Sequence, residues 1–244
     1  MVDFWRSTVG KKTIVAVTGA ILVGYLILHM IGNLNSLFGP GGVEPRVDWY
    51  AGWLRGIAEP LIPYAGVLWL VRALLLGSII VHIVGVWQLR QRNRDARPAN
   101  YPARRIGRSW ESGAMMMSGI ILAAFIIFHI LQFTTLSITV TPLEHGAVYF
   151  NLYNAFQEWY FVAIYLAALI LVGVHLRHGM WSLVQTLGLD SPARNRGIRY
   201  GATTLTLIIV VGFALVPVFF WTGVLDPPEQ PAAAIAGLNG GLVR

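Results

Sequence analysis

Cysteine is absent from this chain of 244 residues, and charged residues are scarce. Without thiolates the chain alone forms neither disulfides nor thiolate-bound metal centres, so a metal must bind through His, Met, carboxylates or a cofactor. Charged residues make up 12% of the sequence, about half of the roughly 25% usual in soluble domains. With 56% hydrophobic residues and a mean hydropathy of +0.62, this composition argues against an ordinary soluble fold and indicates a surface that faces lipid.

Five apolar segments are long enough to cross a bilayer as helices, which takes about 20 residues. They run from Thr13 to Phe38, Leu61 to Leu89, Ser112 to Leu136, Tyr153 to Leu187 and Tyr200 to Val224. Glycines and a proline at 39–42 end the first span, and Pro217 is expected to kink the fifth. The predicted fold is an all-α integral membrane bundle over residues 1–225, with a flexible Pro/Ala/Gly-rich tail over 226–244.

The positive charges are concentrated at one end of these spans, which predicts the orientation of the chain. Of the 18 Lys and Arg residues, fourteen fall at that end: Arg6, Lys11, Lys12, Arg90, Arg92, Arg94, Arg97, Arg104, Arg105, Arg108, Arg177, Arg194, Arg196 and Arg199. The positive-inside rule therefore predicts a cytoplasmic N-terminus and an external C-terminus in a cell membrane. The net charge of +7 thus reflects topology and lipid contact rather than nucleic-acid binding.

Four histidines inside the spans form two predicted pairs at different depths. At about 1.5 Å per residue, His29 and His129 lie ~25–30 Å from the inner boundary on outgoing helices. His82 lies ~12 Å from that boundary on an incoming helix, and His175 is near the inner end of the other incoming helix. Two imidazoles at one depth on separate helices suit the two faces of a haem iron. We therefore expect an outer haem at His29 and His129 and an inner haem at His82 and His175.

Two sequence motifs resemble a known family. They are His29-Met30-Ile31-Gly32-Asn33-Leu34, and the stretch 175–188, which begins His175-Leu176-Arg177-His178-Gly179. Both look like the b558-type dihaem cytochrome b, the membrane-anchor subunit of bacterial succinate dehydrogenase and fumarate reductase (respiratory complex II). The resemblance covers almost the whole chain and implies the same pairing of histidines.

The resemblance also implies partners and a role. A flavoprotein subunit would oxidise succinate, an iron–sulfur subunit would carry the electrons to the membrane, and two haems b in this chain would pass them to a quinone, typically menaquinone. The chain itself would lack the dicarboxylate active site. The direction of the reaction, succinate oxidation or fumarate reduction, stays open.

Further polar residues are candidates for contacts with these groups. Arg72 in the second span is expected to pair with a propionate of the outer haem, or to snorkel to the interface. Arg177 and His178 are candidates for propionate contacts, and His178 is alternatively a rival ligand, a quinone contact or an interfacial residue. Glu59 is a candidate proton relay for quinone. Glu44, Asp48 and Glu144 compete for that role, and an inner quinone site near His178 and Trp110 is the alternative.

Two other functions compete with electron transfer. Histidines can relay protons in a transporter or channel, but the span interiors contain almost no acids apart from Glu158, and no internal repeat is evident. A haem-free structural anchor is the other alternative. The arginines at 90–108 suit topology and anionic lipid, and equally a docking surface for the iron–sulfur subunit.

Overall fold

The computed structural model describes residues 2–39, 44–96 and 110–228. Within these ranges the chain forms eight α-helices: α1 (Val2–Arg6), α2 (Thr8–Leu34), α3 (Arg46–Arg55), α4 (Gly66–Asp95), α5 (Trp110–Phe133), α6 (Val148–Phe156), α7 (Trp159–Thr186) and α8 (Asn195–Trp221). A 3-10 turn, Asn35–Phe38, extends α2. Arg97, Arg104, Arg105, Arg108 and the predicted tail from 229 onward lie outside the described residues.

The predicted all-α membrane fold is confirmed, because five of these helices are long and apolar enough to cross a bilayer. They are α2 with its 3-10 extension, α4, α5, α7 and α8. Five of their boundaries differ from the prediction by five or six residues. The first span begins at Thr8 rather than Thr13, and the second runs from Gly66 to Asp95 rather than from Leu61 to Leu89. The fourth begins at Trp159 rather than Tyr153, and the fifth begins at Asn195 rather than Tyr200. Pro217 lies buried inside α8, which continues to Trp221.

The start of α4 and the break before α7 have physical explanations. Pro60 and Pro63 disfavour the α conformation of the residues before them, so 56–65 forms turns. A single helix over 153–187 would be about 50 Å long, well beyond a bilayer core of about 30 Å. The chain instead breaks at Gln157 and Glu158, where Glu158 takes an extended conformation, and α6 packs on α7 and α8.

The packing of the spans defines an open four-helix arrangement backed by a fifth helix. Helix α2 packs on α4, α7 and α8, while α7 also packs on α5 and α8. Among the described residues, α4 and α5 share no extensive interface. Buried residues of α2, α7 and α8, namely Met30, Leu176 and Ile209, form the core in mid-bundle. The four histidine-bearing helices are therefore joined along three edges and open along the fourth.

Short helices close one end of the bundle, which we call the cap end. Here Val47 of α3, Tyr149 and Phe156 of α6, and Phe220 of α8 are buried together. The Asp48 carboxylate accepts a hydrogen bond from the Tyr149 backbone N–H at 3.0 Å. Burial is the main influence on both side chains: it raises the pKa of Asp48 and raises that of Tyr149 to about 12. The opposite end, with the N-terminus and the α7–α8 turn, is called the basic end.

Candidate functional site

His29 of α2 and His129 of α5 face each other near the cap end. Their ring centres are 5.7 Å apart and their planes are inclined by 78°. With metal–nitrogen bonds of about 2.0 Å, two imidazoles on opposite sides of one metal have ring centres roughly 6 Å apart. The inclination of the two planes does not by itself prevent ligation of one metal. The structure therefore brings together the two histidines of the predicted outer pair, here called the cap-end pair.

His82 of α4 and His175 of α7, here called the basic-end pair, are supported in the same way. Each contacts a hydroxyl and a glycine on a neighbouring helix that begins at the basic end. His82 Nδ1 lies 3.2 Å from Thr18 Oγ1, and His175 Nδ1 lies 3.2 Å from Ser118 Oγ. The glycine that follows each hydroxyl leaves room for the imidazole. A Cβ placed on Gly19 would be 3.4 Å from His82 Cε1, and one on Gly119 would be 3.4 Å from His175 Cε1.

The two pairs lie at separate levels along the bundle. Thr18, beside His82, precedes His29 by eleven residues, and Ser118, beside His175, precedes His129 by the same number. Eleven residues make about three turns, which keeps both positions on one face of the helix and separates the levels by roughly 16 Å. Helices α2 and α5 therefore each carry one imidazole of the cap-end pair and support one imidazole of the basic-end pair.

This arrangement coincides with a short repeat between α2 and α5, contrary to the expectation that the sequence contains no internal repeat. Residues 18–31 and 118–131 align without a gap, and five positions are identical: Gly19 with Gly119, Ile21 with Ile121, Leu22 with Leu122, Ile27 with Ile127, and His29 with His129. The aromatic ring one turn before each histidine also matches. Tyr25 stacks on His29 at 5.3 Å, and Phe125 stacks on His129 at 6.1 Å. The repeat is direct, since both helices begin at the basic end.

Hydrogen bonds fix the tautomer of His82 and His175. Thr18 donates its proton to the Ile14 carbonyl at 2.8 Å, and Ser118 donates its own to the Met115 carbonyl at 3.1 Å. Each hydroxyl oxygen therefore accepts from the imidazole Nδ1–H. The Val15 carbonyl, which can only accept, also lies 3.2 Å from His82 Nδ1. With the proton on Nδ1, the Nε2 lone pair of each imidazole is available to a metal.

At the cap end the two histidines are held differently. His129 Nδ1 lies 3.1 Å from the Tyr165 hydroxyl, which donates to Gln132 Oε1 at 2.9 Å. His29 instead uses Nε2, which lies 3.3 Å from the Asn33 amide nitrogen. An iron bound through this nitrogen would displace the Asn33 contact.

The other predicted site residues lie on α4, α5 and α7 and in the turn before α4. The Arg72 guanidinium stacks on Trp69 with its carbon 4.8 Å from the ring centre. Arg177 and His178 line a cavity of about 30 Å³ with Trp181, Arg199 and Ala202, and Arg177 donates to Thr203 Oγ1 at 3.1 Å. Glu59 is exposed in the turn before α4. Trp110 begins α5, but its side chain lies outside the described part of the chain.

The donor set fits a cofactor with two axial positions better than a metal held by several side chains. In the described ranges, no three His, Asp or Glu side chains cluster as metal ligands. The imidazoles instead occur two by two, on α2 with α5 and on α4 with α7. In α4 and α5 only 6% of the most apolar 18-residue window is buried, against 33% in α8. Most of the apolar surface of α4 and α5 is therefore not covered by the rest of the described chain.

The fold and the site together define a helical membrane protein with paired imidazoles at two levels. Comparison of the chain with protein-family models, curated proteins and solved structures found no match. The residues of the site are therefore interpreted from their geometry and chemistry.

Sequence reasoning overlooked the residues that support the histidines. Thr18, Ser118, Tyr165 and Gln132 were not singled out, because each is an ordinary residue of an apolar span. The signal that could have found Thr18 and Ser118 is the hydroxyl–glycine pair eleven residues before a histidine, which occurs twice at a spacing of 100. Tyr165 and Gln132 have no such signal, since their contact depends on how α5 packs against α7.

Proposed function

We propose that this chain is a dihaem cytochrome b that anchors a succinate:quinone oxidoreductase in the membrane and passes electrons between its iron–sulfur subunit and a quinone, with menaquinone as the expected substrate. The observation that carries the haem part of the proposal is the opposition of His29 and His129 at 5.7 Å. The matched support of His82 and His175 extends it to a second haem. The assignment to succinate oxidation or fumarate reduction rests on the motifs at 29–34 and 175–188.

Four residues would hold the two groups, with His29 and His129 at one level and His82 and His175 at the other. Haem b, when bound, supplies a one-electron Fe(III)/Fe(II) couple. The chain would hold the imidazoles at a fixed orientation through Thr18, Ser118 and Tyr165, and would exclude water by the apolar surface of the spans. This division of tasks, with redox chemistry in the cofactor and positioning in the protein, is general for haem proteins.

Both ends of the molecule offer residues for the partners of this reaction. Arg177, His178 and Arg199 lie at the basic end, where the iron–sulfur and flavoprotein subunits would dock on the cytoplasmic side. At the cap end, Glu59 is exposed and Asp48 is half-buried with a raised pKa. Either carboxylate would suit exchange of the protons that quinone chemistry requires.

The first test is a reduced-minus-oxidised spectrum of the purified protein. We expect a b-type absorption band and two haems per chain. The variants His29→Ala and His129→Ala should each lose the cap-end haem and keep the basic-end haem. The variants His82→Ala and His175→Ala should each lose the basic-end haem and keep the cap-end haem. The variant His145→Ala is the matched control, because His145 lies in the exposed connection before α6.

Several outcomes would overturn the proposal. Wild-type protein without haem would favour a structural anchor or a histidine relay for protons. Loss of the same haem in His29→Ala and His82→Ala would refute the pairing. A dihaem protein that is purified from its host with no flavoprotein and no iron–sulfur subunit would keep the cytochrome but refute the assignment to succinate oxidation or fumarate reduction.

A further inference from the structure

The hydrogen-bond chain from His129 to Tyr165 and Gln132 is unlike the support of the other histidines. It crosses from α5 to α7 and back: His129 Nδ1 lies 3.1 Å from the Tyr165 oxygen, and the Tyr165 oxygen lies 2.9 Å from Gln132 Oε1. Gln132 follows His129 by three residues, and its side chain is 0% exposed. A polar side chain so deeply buried in a span is costly unless its hydrogen bonds are used.

The direction of this chain determines which imidazole nitrogen carries the proton. Tyr165 has a single hydroxyl proton and donates it to the Gln132 carbonyl oxygen. Its oxygen must therefore accept from His129 Nδ1–H, which leaves Nε2 of His129 as the lone-pair nitrogen. If the Gln132 amide were reversed, its N–H would donate to Tyr165, and Tyr165 would donate to Nδ1. The proton would then lie on Nε2 and block ligation. One buried amide thus selects the tautomer that can bind iron.

Gln132 also retains unused donors. Its Nε2 is buried and has no hydrogen-bond partner among the described residues. A buried donor of this kind destabilises a protein interior unless an acceptor is supplied. An acceptor on a group bound at the neighbouring His129 would satisfy it, which links Gln132 to the contents of the cap-end pair.

The direct repeat between α2 and α5 ends at this point. Gly32 and Asn33 stand where the second unit has Gln132 and Phe133. The glycine at 32 is required by Tyr50, since a Cβ there would lie 2.9 Å from the Tyr50 ring. The two histidines of the basic-end pair therefore receive equivalent support from Thr18 and Ser118, whereas the two of the cap-end pair do not.

We propose that Tyr165 and Gln132 are positioning residues that set the reduction potential of the cap-end haem separately from that of the basic-end haem. This inference rests on the proposed function. A hydrogen bond from Nδ1–H makes the imidazole a more basic ligand. A more basic ligand stabilises the ferric state. The hydrogen-bond chain through Tyr165 and Gln132 therefore lowers the reduction potential of the cap-end haem.

The test is a redox titration of the haem-loaded protein carrying Tyr165→Phe. This change removes one oxygen and keeps the ring that contacts Phe125, Phe156 and His129. We expect the potential of the cap-end haem to rise and its low-spin electron paramagnetic resonance signal to shift, while the basic-end haem stays unchanged. The cap-end haem is identified as the one lost in His129→Ala.

Two further variants keep the test decisive. Gln132→Met removes the next acceptor in the chain at similar volume, and it should shift the same haem in the same direction by a smaller amount. Ser118→Ala is the matched control, because it removes the hydroxyl beside His175 and should move the basic-end haem alone. If the Tyr165→Phe protein fails to assemble, the potential of the cap-end haem in Gln132→Met tests the proposal.

The results that overturn the inference differ from those that overturn the proposed function. Wild-type protein without haem refutes the proposed function. If Tyr165→Phe and Gln132→Met both bind two haems and neither potential changes, only the role of the hydrogen-bond chain through Tyr165 and Gln132 is refuted. An equal shift of both haems in Tyr165→Phe also refutes it, because a general change of structure would act on both levels.

Discussion

At the scale of single residues, His29 differs from the other three paired histidines in the nitrogen that it uses. The Asn33 amide nitrogen, one helical turn away, lies 3.3 Å from His29 Nε2, whereas His82, His129 and His175 use Nδ1 for their hydrogen bonds. An amide N–H can donate only to an unprotonated nitrogen, so it occupies the lone pair that iron would take. Asn33 therefore competes with a metal for His29.

Substitution of this amide tests the competition. We expect Asn33→Ala to keep both haems and to hold the cap-end haem up to about fivefold more tightly, since a hydrogen bond worth about 1 kcal/mol no longer opposes binding. The measurement is the rate at which haem transfers to excess apomyoglobin in detergent. Faster loss of haem in this variant than in the wild type would show that Asn33 helps to hold the group.

The histidines could be predicted from the sequence because ionisable residues are rare inside spans and because depth follows from counting residues. Their supporting residues could not be predicted in the same way. Tyr165 reaches His129 from another helix, 36 residues later in the chain. Which side chains meet across two helices depends on rotation about each axis, and an apolar span such as α5 carries little amphipathic pattern to define it.

At the scale of the elements, α8 carries none of the paired histidines, but it is the most buried of the five spans. It packs on α7, α2 and α6. Phe220 at its cap end is 0% exposed and contacts Tyr149 with the ring centres 5.2 Å apart. The neighbouring Trp221 is 51% exposed. The helix therefore acts as a support for the histidine-bearing helices and for the cap.

Two adjacent positions in α8 separate this supporting role from lipid contact. Phe220→Ala removes a fully buried ring and should destabilise the fold by about 3–5 kcal/mol. Trp221→Ala, the matched control, should destabilise the fold by well under half of that amount. The measurement is the thermal unfolding temperature of the two variants in the same detergent. A larger decrease for Trp221→Ala than for Phe220→Ala would contradict the described packing of α8.

The five spans could be predicted because each contains a long apolar window, whereas α3 and α6 could not. Helix α3 has only 10 residues and α6 only 9, too short to be recognised by hydropathy. The sequence around α6 continues the apolar character of the fourth span, so the predicted helix ran through Gln157 and Glu158. In the structure, Gln157 Nε2 donates to the Phe220 carbonyl at 2.9 Å, a contact that only tertiary packing specifies.

At the scale of the whole molecule, the asymmetry of charge predicts which end faces the cytoplasm. Arg194, Arg196 and Arg199 lie at the α7–α8 end, together with Arg90, Arg92 and Arg94 at the end of α4. The cap end of the described chain carries Arg46 and Arg55. The positive-inside rule therefore predicts a cytoplasmic basic end and an external cap end.

The absence of native cysteine makes this orientation directly measurable. Ser137 lies in the exposed connection after α5 at the cap end, and Ala193 lies in the exposed turn before α8 at the basic end. The variants Ser137→Cys and Ala193→Cys each introduce one cysteine at these positions. In intact cells or spheroplasts, a membrane-impermeant maleimide should label the first and should reach the second only after the membrane is permeabilised. The opposite pattern would reverse the topology, and labelling of both without permeabilisation would place neither end inside.

The direct repeat divides the histidine-bearing helices into two hairpins, α2 with α4 and α5 with α7. Each hairpin contributes one imidazole to each level: His29 and His82 come from the first, and His129 and His175 from the second. Neither hairpin alone supplies both imidazoles of a level, and the segment that joins the hairpins connects α4 to α5, the two helices that share no extensive interface. A macrocycle bound at either level would therefore act as a cross-link between the hairpins, so that cofactor insertion would complete the assembly of the bundle.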